Sequence, residues 1–303
     1  MRYKTPAALE MAVKQAAKDS PQDTNRAISG FYFHRLLCRV FDGGNSGFVL
    51  KGGQSMLART VDARATRDID LLSTSTDLDA ARGELLALAG KDLGDFVRFE
   101  YAGSRSIKAD DEYRSGVTVK FVPFLGTKRM QAVSIDLVVD EVPLDGAERI
   151  VPADRIHVAG LKTCDYFVCP VTVALADKFC ALYELHDAKP SSRVKDLVDI
   201  VVYATTGDVD GGDLQERLHR EITVRKLNPI ESFALPMGWG ESQTRQYKKL
   251  AGQTGLDSVY QDMTAAAKLA GDLFDPALAG TCADMRWCHE ARSWKPWAGG
   301  SFS

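Results

Sequence analysis

No stretch of 18 consecutive apolar residues occurs in the chain, so no transmembrane helix and no membrane partner are expected. Met1-Arg2-Tyr3-Lys4-Thr5-Pro6 carries charges with no apolar segment behind them, which argues against a secretory leader and leads to the expectation of a cytoplasmic protein. Positive charge is not in excess: 38 Lys and Arg stand against 41 Asp and Glu, a net charge of −3, so any contact with nucleic acid must come from a local patch. None of the six cysteines (Cys38, Cys164, Cys169, Cys180, Cys282 and Cys288) falls in a C-x-x-C zinc pattern, and free thiols, several of them buried, are expected. Cys282, Cys288 and His289 offer three ligands where structural zinc takes four, so no zinc site is expected there. Internal repeats and low-complexity blocks are also absent.

What is present divides the chain in two. Residues 7–41 read as two helices, the second opening at Asp23-Thr24-Asn25, side chains suited to an N-cap. Asp42-Gly43-Gly44-Asn45 breaks the chain, and Phe48-Val49-Leu50 reads as a short strand. Gly52-Gly53 forms a turn, 54–61 a helix, and Asp68-Ile69-Asp70-Leu71-Leu72 a second strand. Ser75-Thr76-Asp77 offers a cap for a helix through Leu88, and strands are expected at 96–101, 117–124 and 132–139. Beyond about residue 160 helical patterns dominate, over roughly 171–186, 193–204, 212–226, 241–252 and 257–273, and the Gly/Ser-rich end after Trp297 reads as frayed. This order predicts an α+β fold, with a first domain over 1–160 and a mainly helical one over 161–303.

Asp68 and Asp70 are the sharpest local signal. Strand side chains alternate, so both point to one face while Ile69 points to the other. Aspartate is a poor strand former, and such a conflict marks functional positions more often than ordinary ones. The chemistry that fits is a hard cation held by carboxylates and substrate phosphates; two such ions can activate a hydroxyl and stabilise leaving pyrophosphate. Asp136, inside the apolar run Val133–Val139, is a third candidate ligand. Alone, an acidic pair at a strand edge can simply face water. Gly52-Gly53, between strand and helix, lets phosphate approach backbone N–H groups, with Ser55 adding a hydroxyl and Lys51 a charge. Arg67 either braces the loop, pairs with a phosphate or faces solvent.

In the helical half, Lys178 interrupts an apolar stripe formed by Val171, Leu175 and Leu182. It must snorkel outward, pair with an acid or project into a site. Asp196 and Asp199 lie one turn apart on the next helix; Asp196 can accept from a lysine, act as a base or pair with Arg193. Arg217, Arg220, Arg225 and Lys226, then Arg245, Lys248 and Lys249, and finally the run from Arg286-Trp287 through Arg292 to Trp294-Lys295 and Trp297 are the candidate RNA-contacting groups, although a tryptophan-rich tail more often packs on its own domain.

Leu50-Lys51-Gly52-Gly53 with Ser55 and Leu57, followed by Arg64, Thr66 and Arg67-Asp68-Ile69-Asp70, resembles the first motif of the AbiEii/AbiGii (MenT-like) nucleotidyltransferase toxins. Lys178, with Arg193, Asp196-Leu197 and Asp199, resembles that family's downstream lysine and acidic motif. The matching elements span roughly residues 48–205. The chain departs from the pattern in placing Gly-Gly before the serine and in separating Arg193 from Asp196 by Val194-Lys195. The resemblance implies a polymerase β-like nucleotidyltransferase core, a short mixed sheet with flanking helices, plus a C-terminal helical domain. It implies transfer of a nucleoside monophosphate from an NTP, dependent on Mg²⁺ or Mn²⁺, to the 3′ end of tRNA by a toxin opposed by a separately encoded antitoxin. On these positions it makes Asp68 and Asp70 metal ligands, Lys178 the triphosphate-binding lysine, Asp196 the downstream catalytic acid, and Gly52, Gly53 and Ser55 the phosphate loop. Transfer to a small molecule or a protein, and an inactive module that binds nucleotide or antitoxin, are the competing expectations.

Overall fold

The computed structural model describes residues 3–66, 68–75, 77–107, 114–140, 146–185 and 191–297. Arg67 and the stretch after Trp297 lie outside the described residues. The chain forms two compact units, Met1–Val61 with Ala65–Cys169, and Asp62–Arg64 with Pro170–Ser303.

The first unit contains α1 (Pro6–Asp19), α2 (Thr24–Val40), β1 (Phe48–Lys51), α3 (Gly52–Arg59), β2 (Asp68–Ser73), α4 (Leu78–Ala89), β3 (Val97–Ile107), β4 (Arg114–Leu125), β5 (Lys128–Arg129), β6 (Val133–Asp140), β7 (Glu148–Ile150) and β8 (Tyr166–Val168). The strands form one mixed sheet in the order β3-β4-β6-β2-β1-β8-β7, with β5 on β4. β2 pairs antiparallel with β1 and parallel with β6, and β1 pairs parallel with β8. Because β8 is part of this sheet, the first unit continues to Cys169.

Local chemistry sets the helix starts. The Thr5 hydroxyl accepts from the Ala8 N–H with Pro6 at the first turn of α1, Asp23 accepts from the Arg26 N–H at α2, and Asp77 accepts from the N–H groups of Asp79 and Ala80 at α4. The apolar faces of α1, α2 and α4 then cover one side of the sheet. Leu9, Phe31, Leu36, Leu37 and Leu85 share a core with Phe48, Leu50, Ile69, Leu71, Ile135 and Leu137. Burying each such side chain contributes roughly 1.5–3 kcal/mol.

A buried charge cluster ties α2 to the approach to β3. Asp95, 2% exposed, accepts from Arg35 Nε at 2.6 Å and from Arg39 Nη2 at 2.9 Å. Arg39, fully buried, also donates to the carbonyls of Lys91 and Val97. Nearby, the Cys38 and Cys164 sulfurs lie 3.1 Å apart as free thiols.

The second unit contains α5 (Val171–Tyr183), α6 (Val194–Thr206), β9 (Val209–Asp210), α7 (Gly211–Val224), α8 (Glu241–Ala251), α9 (Met263–Leu278), β10 (Met285–Cys288) and β11 (Ser293–Pro296). The last two strands and β9 form a small sheet in the order β11-β10-β9. The helix expected over 257–273 is divided: Asp262 caps α9 by accepting from the N–H groups of Thr264 and Ala265, leaving a single 3-10 turn over Ser258–Gln261. Among the described residues no helix is long and apolar enough to cross a membrane.

Two of the expected RNA-contacting groups have other duties. The Arg225 side chain is only 6% exposed and is paired with Asp177, Glu184 and Glu221. Trp287 is fully buried, its indole N–H donating to the Ala204 carbonyl. On α8, Arg245, Lys248 and Lys249 are exposed. His289 lies against Asp208, and no group of three His, Cys, Asp or Glu among the described residues is placed to hold a metal.

Burial pushes the Asp95 pKa up, but Arg39 and Arg35 hold it below the usual carboxylate value. A depressed folded-state pKa contributes stability that is present above the unfolded value of about 4 and is lost as pH falls through the folded one. Asp95→Asn should therefore cost about 3–5 kcal/mol at neutral pH by leaving two buried guanidinium groups short of a partner. Urea titrations from pH 7 to pH 3 should show a shallower acid decline in the variant than in the wild type.

Candidate active site

The face of the sheet opposite the main core is polar at its centre. Alternation on β2 sends Ile69 and Leu71 into the core and leaves Asp68 exposed and Asp70 half-buried on the other side. The same alternation on β6 buries Val133, Ile135 and Leu137 and turns Ser134 and Asp136 outward from that core. Register brings these positions together. Lys51 of β1 pairs with Asp70 of β2, Asp70 with Asp136 of β6, and Asp136 with Thr118 of β4. A second row runs from Asp68 to Ser134 to the exposed Lys120. Thr118 Oγ1 donates to Asp136 Oδ1 at 2.7 Å, fixing that carboxylate. Behind the acidic positions, Leu72, Val49 and Cys169 form a small apolar cluster.

The turn into α3 is built around Asp70. Gly52, the first residue of the helix, adopts φ +60°, a conformation that favours glycine. A Cβ at Gly52 would lie 2.0 Å from Asp70 Oδ2. The missing side chain is thus the space in which the Asp70 carboxylate sits, against the N-terminal turn of α3, where backbone N–H groups point outward. Gly53 follows in the same turn. Ser55 is 1% exposed and its hydroxyl has no hydrogen-bond partner among the described residues, so it is a buried group within α3. Gln54, also buried, donates to Asp154 Oδ2 at 3.1 Å.

These donors suit a hard divalent cation. Magnesium takes oxygen ligands, often one or two carboxylates, and completes its shell with water and phosphate, so it needs no closed protein cage. Asp68 and Asp70 supply carboxylates on one face; Asp136 is the neighbour of Asp70 in the row but does not close a three-ligand cluster with them, no such group being found among the described residues.

Lys178 and Asp196 belong to the second unit, where they form a buried network. Lys178 Nζ donates to Asp199 Oδ2 at 2.6 Å and to Asp196 Oδ1 at 3.3 Å. Arg64 grips Asp199 with two hydrogen bonds of 2.8 and 2.9 Å, and Arg193 reaches Asp196 at 3.4 Å. Asp199 is wholly buried and Lys178 is 6% exposed. Burial lowers the Lys178 pKa, but Asp199 and Asp196 outweigh it and the net shift is upward. Burial likewise raises that of Asp199, and Lys178 and Arg64 reverse it to a net lowering. Of the three fates open to a lysine in an apolar stripe, pairing with acids is the one observed.

Sequence reasoning missed Thr118, Ser134 and Lys120, and underrated Asp199 and Arg64. The alternation Val117-Thr118-Val119-Lys120-Phe121 places Thr118 and Lys120 on one face, but only register identifies their neighbours.

A mixed sheet with carboxylates aligned across its central strands and a glycine turn leading into a helix suits nucleotidyl transfer. The chain matches the family described as nucleotidyl transferase AbiEii toxin, type IV toxin–antitoxin system, over residues 35–271. It belongs to that family and is a nucleotidyltransferase toxin of a type IV toxin–antitoxin system. Among solved structures it is similar to MenT4, a nucleotidyltransferase toxin from Mycobacterium tuberculosis, with 15% identity and a TM-score of 0.51 over 92% of this chain and 99% of that one. That likeness is one of fold. JHP933 from Helicobacter pylori aligns over 86% of this chain and 94% of its own, at 13% identity and a TM-score of 0.43. No curated protein matches the chain.

Gly52→Ala should be costly on two counts, the positive φ, worth about 1–2 kcal/mol, and the displaced Asp70 carboxylate. Removing that carboxylate as well, in Gly52→Ala/Asp70→Ala, should recover the second part. A double-mutant cycle measured by urea denaturation should give a coupling energy of about 1–3 kcal/mol; additive effects would show that the two residues do not contact.

Proposed function

We propose that this chain transfers a nucleoside monophosphate from an NTP to the 3′-hydroxyl of tRNA, with Mg²⁺ or Mn²⁺ as the metal. The observation that carries this reading is the in-register row Lys51, Asp70, Asp136 and Thr118, with Asp68 beside it, in a member of the AbiEii family. Asp68 and Asp70 are the metal ligands, with Asp136, steadied by Thr118, beside them in the row. A divalent cation bound there supplies charge neutralisation on the triphosphate.

The protein's own part is positioning and electrostatics. Lys51 neutralises phosphate charge from the strand end, and the Gly52-Gly53 turn presents backbone N–H groups. Gly52 keeps room for Asp70, so the carboxylate is placed before substrate arrives. The acceptor oxygen forms a bond to the α-phosphorus, the bond from that phosphorus to the bridging oxygen breaks, pyrophosphate leaves, and the hydroxyl proton passes to solvent. Arg245, Lys248 and Lys249, exposed on α8, are the groups best suited to RNA phosphates. Family membership implies an antitoxin partner. Arg67 stays a proposed nucleotide-binding group, and Ser55 belongs to the phosphate loop by position alone, since its hydroxyl is buried within α3.

For Lys178 and Asp196 the resemblance gives the roles of triphosphate-binding lysine and downstream acid. Their buried network favours a second reading, in which the charges hold α5 against α6 as positioning groups. Lys178→Met separates the two. As a substrate-binding residue its loss should raise the KM for NTP at least tenfold with little change in stability. As a positioning residue its loss should cost about 3–5 kcal/mol in a urea titration.

The reaction itself is read by incubating the protein with Mg²⁺, each labelled NTP in turn and total tRNA. Label should enter tRNA with at least one NTP and be lost in Asp68→Ala and in Asp70→Ala, while circular dichroism shows both variants folded. Wild-type turnover by a folded Asp68→Ala/Asp70→Ala variant would sink the assignment. Label in a small molecule or in protein, with none in tRNA, would replace the acceptor.

A further inference from the structure

Away from the acidic face, the first unit brings two thiols together. Cys38, in the last turn of α2, and Cys164, two residues before β8, lie 126 positions apart in the chain with their sulfurs 3.1 Å apart. Both are free. A disulfide sets its sulfurs at about 2.05 Å, so an approach of about 1 Å separates this pair from a covalent bond. The surrounding contacts hold the two chain segments in place. The Cys164 thiol lies 3.4 Å from the Cys38 carbonyl, and the Cys38 thiol 3.6 Å from the Lys162 carbonyl. Arg35 donates to that same Lys162 carbonyl at 2.5 Å, and Arg155 to the Cys164 carbonyl at 2.9 Å.

The two sulfurs differ in character. The hydrogen bond from Cys164 lowers the Cys38 pKa to about 7; burial and Asp42 oppose this, and Arg35 and Arg39 add to it. The same hydrogen bond, with burial, pushes the Cys164 thiol up. Burial without such a partner pushes Cys180 up to about 12 and Cys282 up to about 11. The thiolate is the nucleophile, so Cys38 is the reactive member and Cys164 the neutral thiol beside it. A cavity of about 20 Å³ reaches both, lined also by His34, Arg155, Thr163 and Tyr166. Thr163 is exposed and Cys164 half-buried, so the cavity lies next to solvent. It has room for a molecule of about water's size, and hydrogen peroxide is an oxidant of that scale.

We infer that Cys38 and Cys164 form a peroxide-sensitive dithiol, a site of reversible disulfide formation that staples α2 to the segment leading into β8. The Cys38 thiolate attacks one peroxide oxygen, the O–O bond breaks, and the departing hydroxide takes a proton to become water. Cys38 is then a sulfenic acid. The Cys164 sulfur attacks the Cys38 sulfur, the S–O bond breaks, and the leaving hydroxide takes the Cys164 proton to become the second water. In all, two thiols lose two electrons and one peroxide becomes two waters. The bond closes a loop that contains β1 to β7, and β8 beyond it pairs with β1 at Leu50, next to Lys51. A cross-link over so long a loop should raise the melting temperature by about 5–15 °C. None of this depends on nucleotidyl transfer.

The test treats the full chain, reduced and then freed of reductant, with a small molar excess of hydrogen peroxide. Two of its six thiols should be lost, and peptide mapping by mass spectrometry should join the Cys38 and Cys164 peptides. The melting temperature should rise, and dithiothreitol should reverse all three changes. In Cys164→Ser the oxidation of Cys38 should stop at the sulfenic acid, trapped by dimedone, with no thermal gain. In Cys38→Ser, Cys164 should survive the same treatment as a thiol. Six thiols that outlast the peroxide overturn the proposal, as does a disulfide that maps to any other pair. An unchanged melting temperature in the linked protein overturns the staple. Should either variant fail to fold, the wild-type map and its thermal shift decide alone.

Discussion

The pairing of β2 with β1 on one side and β6 on the other is the constraint on which the site depends. Side chains on a strand alternate with a period of two, so a slip of one residue would carry Asp68 and Asp70 into the core and Ile69 and Leu71 out of it. Phe48, Leu50, Ile69, Leu71, Ile135 and Leu137, all buried in one cluster, make such a slip prohibitive. The hydrophobic core thereby determines where the carboxylates stand. The same registry that buries Ile69 aligns Asp70 with Lys51 and Asp136. The pattern that folds the sheet also sets the rows of its other face, leaving Gly52 and Thr118 to fix the individual carboxylates.

Much of this arrangement was legible in the sequence, for identifiable reasons. The D-x-D spacing on an apolar strand could have only one meaning for side-chain direction, and strand β2 begins at Asp68 as that pattern requires. Helix starts at Asp23 and Asp77 followed from cap chemistry, which is local. Strands β7 to β11, of two to four residues, escaped because so short a run carries no periodicity and is held by partners distant in sequence. Thr118 and Lys120 escaped for a related reason: their face was readable, but their neighbours were not. The acid pairing of the Arg225 side chain and the burial of Trp287 could not be read from a cluster of basic and aromatic residues, since composition does not say which way a side chain turns.

Both units commit charge to their interiors. Asp95 with Arg35 and Arg39 in the first, and Asp199 with Lys178 and Arg64 in the second, are bound by several short contacts each. Buried pairs of this kind add little over apolar residues of similar size, yet they are expensive to break singly. Their value is geometric. A carboxylate that must meet two cations tolerates few arrangements of the helices and loops bearing them, so these clusters fix how α2 meets the start of β3 and how α5 meets α6.

The parallel pairing of β2 with β6 joins residues far apart in the chain: Asp70 stands beside Asp136, 66 positions later. Parallel strands cannot be linked by a tight turn, and here α4, β3 and β4 intervene. Contacts of such separation come at the cost of closing a long loop and form slowly compared with local ones. During synthesis the acidic pair on β2 emerges well before its neighbour on β6 exists. A nascent chain that stops short of Asp136 has the motif but not the row, so the acidic face of this sheet is a product of late folding, complete only once most of the first unit has left the ribosome.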